Sequence, residues 1–92
     1  MATFSKVVGT SITTVYQPRR GRKSIGITNR SGNNNVAIVS NASQGFGDGF
    51  RLVAGQTITM NSLEDGKEVL ENAIRLISET GNNTVDCLEN FE

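Results

Sequence analysis

The sequence predicts an all-β protein, a single antiparallel β-sandwich of jelly-roll-like form. Short alternating apolar runs are separated by clusters of Gly, Asn and Ser, and turn signals every ~8–12 residues are typical of a sandwich or barrel. The chain has 92 residues, with four Phe, one Tyr and one Cys, so it forms one domain with a small core and no internal disulfide. We therefore expect residues 1–92 to form one sandwich, with 1–10 as a possible extended N-terminal arm.

The first two predicted strands lie on either side of a basic segment. Residues 11–17 alternate and stop at Pro18, which cannot donate a hydrogen bond to a strand ladder. Residues 23–29 alternate again, with Ile25 and Ile27 facing inward.

A hairpin is predicted next. Residues 31–34 read Ser-Gly-Asn-Asn, a combination that favours a turn, and 36–40 form a further apolar run. The pattern predicts that strands 23–29 and 36–40 pair across this turn. Residues 41–49 are then a glycine-rich loop, followed by short strands at 50–53 and 56–60 that are hinged at 54–55.

The C-terminal third allows two interpretations. Apolar residues between 69 and 77 fall at helical spacing, and Asn61 or Ser62 could cap a helix. However, 73–79 and 84–89 also alternate on either side of a Gly-Asn-Asn turn. In the strand interpretation, Cys87 is a small buried apolar residue.

Charge is unevenly distributed along a chain whose net charge is zero. The cations of residues 1–60 outnumber the single acid Asp48, whereas residues 61–92 carry Lys67 and Arg75 against a large excess of acids. Halves of opposite sign can attract each other within one fold or between neighbouring copies.

Composition also disfavours several function classes. The chain has no histidine, so it lacks the usual acid–base group near neutral pH and any Ser-His or Cys-His pair. One thiol and isolated acids do not make a zinc or calcium site. The sequence therefore predicts neither an enzyme nor a cofactor or metal site, and it has no apolar run of the ~18 residues that span a membrane.

Two segments remain as candidate contact sites. Arg19, Arg20, Arg22 and Lys23 form the one dense cluster of cations; it could bind a protein, grip phosphates or simply be a solvated turn. No aromatic residues interleave with it to stack on bases, so nucleic acid is not expected. Phe46 and Phe50 border the glycine loop, either as anchors of that loop or as contacts for a partner.

The order of these segments resembles small accessory virion proteins of tailed bacteriophages, of the capsid decoration or cement type. The resemblance runs over about residues 19–90 and is carried by spacing: a basic cluster, the 23–29 strand, the Ser-Gly-Asn turn, the Val-Ala-Ile-Val run, the glycine loop, and the segments 50–59 and 72–81. It implies that 73–79 and 84–89 are paired strands rather than a helix. The acidic segment 61–71 lacks the proline that the resemblance leads us to expect.

The resemblance also implies a function. We expect a viral structural protein, made in the host cytoplasm, that binds the major capsid protein on the outer capsid surface of the virion and stabilises the shell. The small core favours a homo-oligomer, because neighbours can stabilise such a subunit, and the resemblance implies that the oligomer is a trimer. The alternative is a head-fibre or tail receptor-adhesion module that binds host surface glycans.

Overall fold

Eight β-strands hold more than half of the residues that the structure describes. The computed structural model describes residues 2–40, 43–61 and 72–91. Its strands are β1 (Ala2–Val8), β2 (Thr13–Tyr16), β3 (Arg22–Asn29), β4 (Val36–Val39), β5 (Phe50–Leu52), β6 (Thr57–Asn61), β7 (Ile74–Ser78) and β8 (Asn83–Phe91), and a 3₁₀ turn covers Phe46–Asp48. The predicted all-β class is confirmed.

The strands form two four-stranded antiparallel sheets. Sheet A has the order β1-β8-β3-β6, and sheet B has the order β2-β7-β4-β5. The pairs β1–β8, β2–β7, β3–β6 and β4–β5 describe one long two-stranded ribbon folded at the β4–β5 loop. Rolling that ribbon brings β3 beside β8 and β4 beside β7. This arrangement is a jelly roll, as the sequence led us to expect.

The predicted hairpin between 23–29 and 36–40 is wrong, although both strands exist. β3 belongs to sheet A and β4 to sheet B, so the turn between them crosses the sandwich instead of joining neighbours. Alternation shows that each strand has one buried face, but it does not specify which strand lies beside it. Among the described strands, only β4 and β5 are both consecutive and paired.

The C-terminal third forms strands rather than a helix wherever the structure describes it. The prediction that 73–79 and 84–89 are strands is confirmed by β7 and β8, but the prediction that they pair with each other is wrong. β7 lies between β2 and β4, and β8 lies between β1 and β3. Both are therefore central strands, and residues 66–71 of the alternative helix lie outside the described residues.

The N-terminal segment is part of sheet A. β1 runs antiparallel to β8 from Ala2 opposite Glu89 to Val8 opposite Asn83, without a register shift. The stretch expected as a possible extended arm thus includes a seven-residue edge strand.

Two apolar clusters hold the sandwich together. The main one lies between the sheets and includes Tyr16, Ile25, Ile27, Leu52 and Leu76, of which none is more than 1% exposed. The smaller one lies on the outer face of sheet B, where the 3₁₀ turn folds back over strands β4 and β7; its members are Ala37, Val39 and Ile77, with Ile12 and Phe46 packed against them.

Candidate functional site

Chain topology gathers the predicted contact residues at one end of the sandwich. Antiparallel strands alternate in direction, so the β2–β3, β4–β5 and β6–β7 connections share one end, and the other four connections share the opposite end. The first end carries Arg19, Arg20, Lys23 and Phe50. We call these four residues the basic end.

Arg22 is excluded from the exposed part of this cluster. Its side chain is 2% exposed, and its Nε donates to Glu89 Oε2 at 3.0 Å. One Nη donates to the Gln17 carbonyl at 2.7 Å and the other to the Asn72 carbonyl at 3.3 Å. The guanidinium also lies 5.0 Å from the centre of the Tyr16 ring. The expectation that Arg22 contacts a partner is therefore corrected, because its donors are engaged inside the fold.

The other three cations are at the surface. Arg19 has a side chain that is 61% exposed; it lies 4.1 Å above the Phe91 ring and 3.8 Å from Glu89 Oε1. Arg20 and Lys23 are exposed and form no ion pair with the residues that the structure describes. Gly21 between them has a φ of +83°, a left-handed conformation that lets the chain turn sharply into β3. This turn holds the charged side chains outward at the edge of the fold.

The two phenylalanines of the glycine loop differ in environment. Phe46 is half-buried against the outer face of sheet B, with the Arg51 guanidinium 5.6 Å from its ring centre. Phe50 starts β5 and is 57% exposed. Phe46 is therefore an anchor of the loop, and only Phe50 offers a large apolar surface to a partner. Asp48, also in the loop, caps the turn by accepting a hydrogen bond from the Gly45 amide at 2.9 Å.

The opposite charges of the two halves meet within the molecule. The ion pairs Arg19–Glu89, Arg22–Glu89 and Arg30–Asp86 each join a cation of residues 1–60 to an acid of residues 61–92. In addition, Asn61 pairs with Ser24 and the Asn72 carbonyl accepts from Arg22. Both flanks of the acidic segment 62–71, itself outside the described residues, are thus fixed beside the basic turn.

Arg30 and Asp86 form a two-point ion pair on the outer face of sheet A. Arg30 Nε donates to Asp86 Oδ2 at 2.8 Å, and an Nη donates to Oδ1 at 2.7 Å. Ser5 Oγ also donates to Asp86 Oδ1 at 3.0 Å. Hydrogen bonding by Arg30, more than by Ser5, holds the pKa of Asp86 below its usual value. Because the pair is satisfied locally, it is not a free charge for a partner.

A shallow groove runs beside this ion pair on the outer face of sheet A. Its volume is about 480 Å³, and five of its lining residues are hydroxyl side chains: Thr3, Ser5, Thr28, Thr57 and Thr59. Gly26 and Leu88 line its middle, where a Cβ on Gly26 would come within 3.2 Å of Leu88 Cγ. This groove was not predicted from the sequence. The signal available was the row of small polar residues on the outward positions of β3 and β6.

The one thiol is buried, as predicted. Cys87 is 4% exposed, and burial raises its pKa to about 11. Burial also raises the pKa of Tyr16, whose hydroxyl lies 3.0 and 2.7 Å from the Gly26 and Leu88 carbonyls.

The described ranges contain no cluster of three metal-binding side chains. Within those same ranges there is no helix with the length and apolarity needed to cross a membrane.

Comparison of the chain with protein-family models, with curated proteins and with solved structures finds no match. Function must therefore be argued from the site itself.

Proposed function

We propose that this chain is a virion structural protein of the capsid decoration type, which binds the major capsid protein through the basic end. The observation that carries the proposal is the placement of Arg20 and Lys23, exposed and without an ion pair among the described residues, at the same end of the sandwich as exposed Phe50. Apolar contact beside charge-assisted hydrogen bonds is the usual make-up of a protein interface. A partner for this end presents carboxylates next to an apolar recess.

The fold is compatible with a capsid decoration role but is not evidence for it. Jelly rolls occur in viral capsid proteins, in lectins and in cupins, so the fold alone leaves several functions open. A cupin-type enzyme would use a metal held by histidines, and this chain has none. A structural role asks only for a stable scaffold with a suitable surface.

Nucleic acid fits the basic end less well than an acidic protein surface. After Arg22 is excluded, the cluster has three exposed cations, and Glu89 lies 3.8 Å from one of them. The nearby Phe91 ring is covered by Arg19, which removes that face from base stacking. A phosphate-binding surface normally uses more cations than this, because affinity grows with the number of phosphates neutralised.

The test uses charge reversal at the basic end. We expect Arg20→Glu with Lys23→Glu to weaken binding of the purified chain to capsids of the virus that encodes it by at least about tenfold, since each exposed contact contributes roughly 0.2–1 kcal/mol and reversal adds repulsion. Binding is measured by co-sedimentation, and Phe50→Ser should weaken it further. Lys6→Glu, an exposed cation on β1, is the matched control and should bind normally.

Particle occupancy at the wild-type level by the double variant would contradict this docking role. A chain that is absent from purified particles would contradict the decoration function altogether. Tight, salt-dependent binding to bare DNA that the double variant loses would favour nucleic acid instead.

The groove on sheet A supports a second candidate, a glycan-binding adhesion module. Its five hydroxyl side chains can exchange hydrogen bonds with sugar hydroxyls. However, among the described residues that line the groove Phe4 is the only aromatic one, and its ring packs edge-on against Tyr16 at 5.3 Å. Titration with bacterial surface glycans, followed by backbone amide shifts of residues 26–28 and 57–59, would distinguish this function from capsid binding.

A further inference from the structure

β1 is an unusually open edge strand. In the part of the chain that the structure describes, it pairs only with β8, so alternate backbone groups along its other side face solvent. Natural proteins protect such edges with short strands, bulges, prolines or charges, because an open edge pairs readily with another strand. β1 has seven residues, an unshifted register and neither Pro nor Gly.

The other edge strands are better protected. β2 has four residues and a register shift between Thr14 and Tyr16. β5 has three residues and β6 has five. On β1 the charged residue is Lys6 alone, and Val7 on the outward row is 56% exposed. Of the four edge strands described, β1 therefore has the fewest features that oppose pairing with an added strand.

We propose that a second copy of this chain adds to β1, antiparallel and about a two-fold axis through Ser5. In this register Ala2 faces Val8 of the other copy, Thr3 faces Val7, and Phe4 faces Lys6. It is the one antiparallel register in which all seven residues find partners. Facing residues also lie on the same side of the sheet, as the pleat requires.

Charge supports the same register. If the pairing is shifted by two residues in one direction, the Lys6 residues of the two copies face each other. Like charges directly opposite each other are destabilising. Centring on Ser5 instead places each lysine stem along a half-buried Phe4 ring and leaves its ammonium in water. The exposed Val7 side chain is covered by Thr3 of the other copy. A second copy is thus complementary to this edge in length, charge and apolar surface.

The product is a dimer with one continuous eight-stranded sheet. A single pair of edge strands buries less than the ~1,200 Å² of a standard interface, so we expect a dissociation constant in the micromolar range or weaker. Two-fold pairing also gives an even number of copies, in contrast to the trimer that the resemblance implies. The start of β1 lies near Arg19, since Ala2 is opposite Glu89, but the pairing uses none of Arg20, Lys23 and Phe50, so the dimer and the proposed capsid contact are tested separately.

Disulfide trapping tests the register. We expect Ser5→Cys to form an intermolecular disulfide on mild oxidation, because facing Cβ atoms in an antiparallel pair lie about 4.5–5.5 Å apart. Val7→Cys alone should not, since its own counterpart lies four residues, or roughly 13 Å, along the strand. A mixture of Thr3→Cys and Val7→Cys chains should cross-link to each other. Wild type, whose one thiol is buried, is the control.

Charge variants test the dimer in solution by analytical ultracentrifugation. Thr3→Glu with Val7→Glu places two like-charged pairs across the junction, and we expect the dissociation constant to rise at least about tenfold. Thr3→Lys with Val7→Glu places opposite charges there and should dimerise as well as wild type. Circular dichroism checks that both variants are folded.

Three results would overturn the proposal. They are a wild-type chain that is monomeric at about 1 mM, a trimer as the smallest assembly, or equal cross-linking of the Ser5→Cys and Val7→Cys chains. A monomer that takes up an extended peptide from another protein at β1 would show that the edge serves a different occupant.

Discussion

At the scale of single residues, Arg22 and Glu89 show that one cation of a cluster can be buried while its neighbours stay exposed. In the sequence Arg22 is one of four neighbouring cations, but its position at the start of β3 places it opposite the end of β8. There the guanidinium meets Glu89, which is 8% exposed, and two backbone carbonyls. A buried charge is tolerated only when it is paired and hydrogen-bonded in this way.

Removing one member of this pair should be costly. We expect Arg22→Met to lower the free energy of unfolding by about 3–5 kcal/mol, because Glu89 is left buried with Arg19, at 3.8 Å, as its one remaining cation among the described residues. Urea unfolding followed by circular dichroism measures this loss. The exposed neighbour provides the control: Arg20→Met should change stability by less than about 0.5 kcal/mol.

The double variant separates a pairing effect from a packing effect. Arg22→Met with Glu89→Met removes both charges and should recover much of the lost stability, since buried ion pairs can often be replaced by apolar residues at little net cost. If the double variant lost as much free energy of unfolding as the two single variants lose together, the two charges would have no specific coupling. The loss would then be due to packing.

At the scale of elements, asparagines connect the loops opposite the basic end. Asn29, at the end of β3, is fully buried and donates to the Asn34 and Leu52 carbonyls, each at 3.0 Å, while its Oδ1 accepts from Asn33 Nδ2 at 2.9 Å. Asn83, at the start of β8, donates to Ser78 Oγ and accepts from the Asn34 amide. These bonds tie the β3–β4 and β7–β8 connections to both sheets, which compensates in part for a small apolar core.

We expect Asn29→Ala to destabilise the fold by about 2–4 kcal/mol, because two carbonyls and one amide group lose a buried partner. Asn35→Ala is the matched control; it loses one hydrogen bond to Glu79 at 3.2 Å at the surface and should cost no more than about 0.5 kcal/mol. Thermal unfolding of both variants measures the difference. Equal melting temperatures would show that the asparagine network does not hold these loops together.

At the scale of the whole molecule, the centre of the sandwich links both sheets and both termini of the described chain. Tyr16 from sheet B reaches the backbone of β3 and β8 in sheet A. Cys87 lies on β8 opposite Phe4 of β1 on one side and Ile27 of β3 on the other. Because β1 and β8 come from opposite ends of the sequence, the core closes only when nearly the whole chain has folded.

The buried thiol should therefore report on unfolding of the whole molecule. The pKa of Cys87 is raised to about 11 in the folded protein, against about 8.5 in an unfolded chain. The folded state binds the thiol proton more tightly, so stability is fully present below about pH 8.5 and declines as pH rises towards 11. We expect a loss on the order of 1–3 kcal/mol across this range, with a further loss from Tyr16 above about pH 10.

Urea unfolding at pH 8, 9.5 and 11 measures this decline, and Cys87→Ala is its control. That variant should be less stable at pH 8 but should keep its stability up to about pH 10, where Tyr16 begins to contribute. An aromatic disulfide reagent should label the wild-type thiol at pH 8 only as fast as the protein unfolds. Rapid labelling without unfolding would contradict the cooperative core.

The sequence located the two loops of the candidate site but did not predict which of its cations is buried. Pro18 and Gly21 mark the basic turn, and the glycines around Phe46 mark the second loop, so both loops could be located from residue types alone. Which cation is buried could not be predicted, because Arg22 is buried by contacts with residues 17, 72 and 89. The hydroxyl groove was missed because its residues come from strands far apart in the sequence.

The sequence by itself determined that this chain is an all-β sandwich, which strand faces are buried, and where the chain turns. These are local properties, since side chains alternate with a period of two and Gly, Asn and Pro restrict the backbone wherever they occur. Only the tertiary structure decided that β3 and β4, and likewise β7 and β8, lie in different sheets, and that β1 pairs with β8. Strand order depends on how two amphipathic sheets bury their faces together, and that is a property of the whole chain.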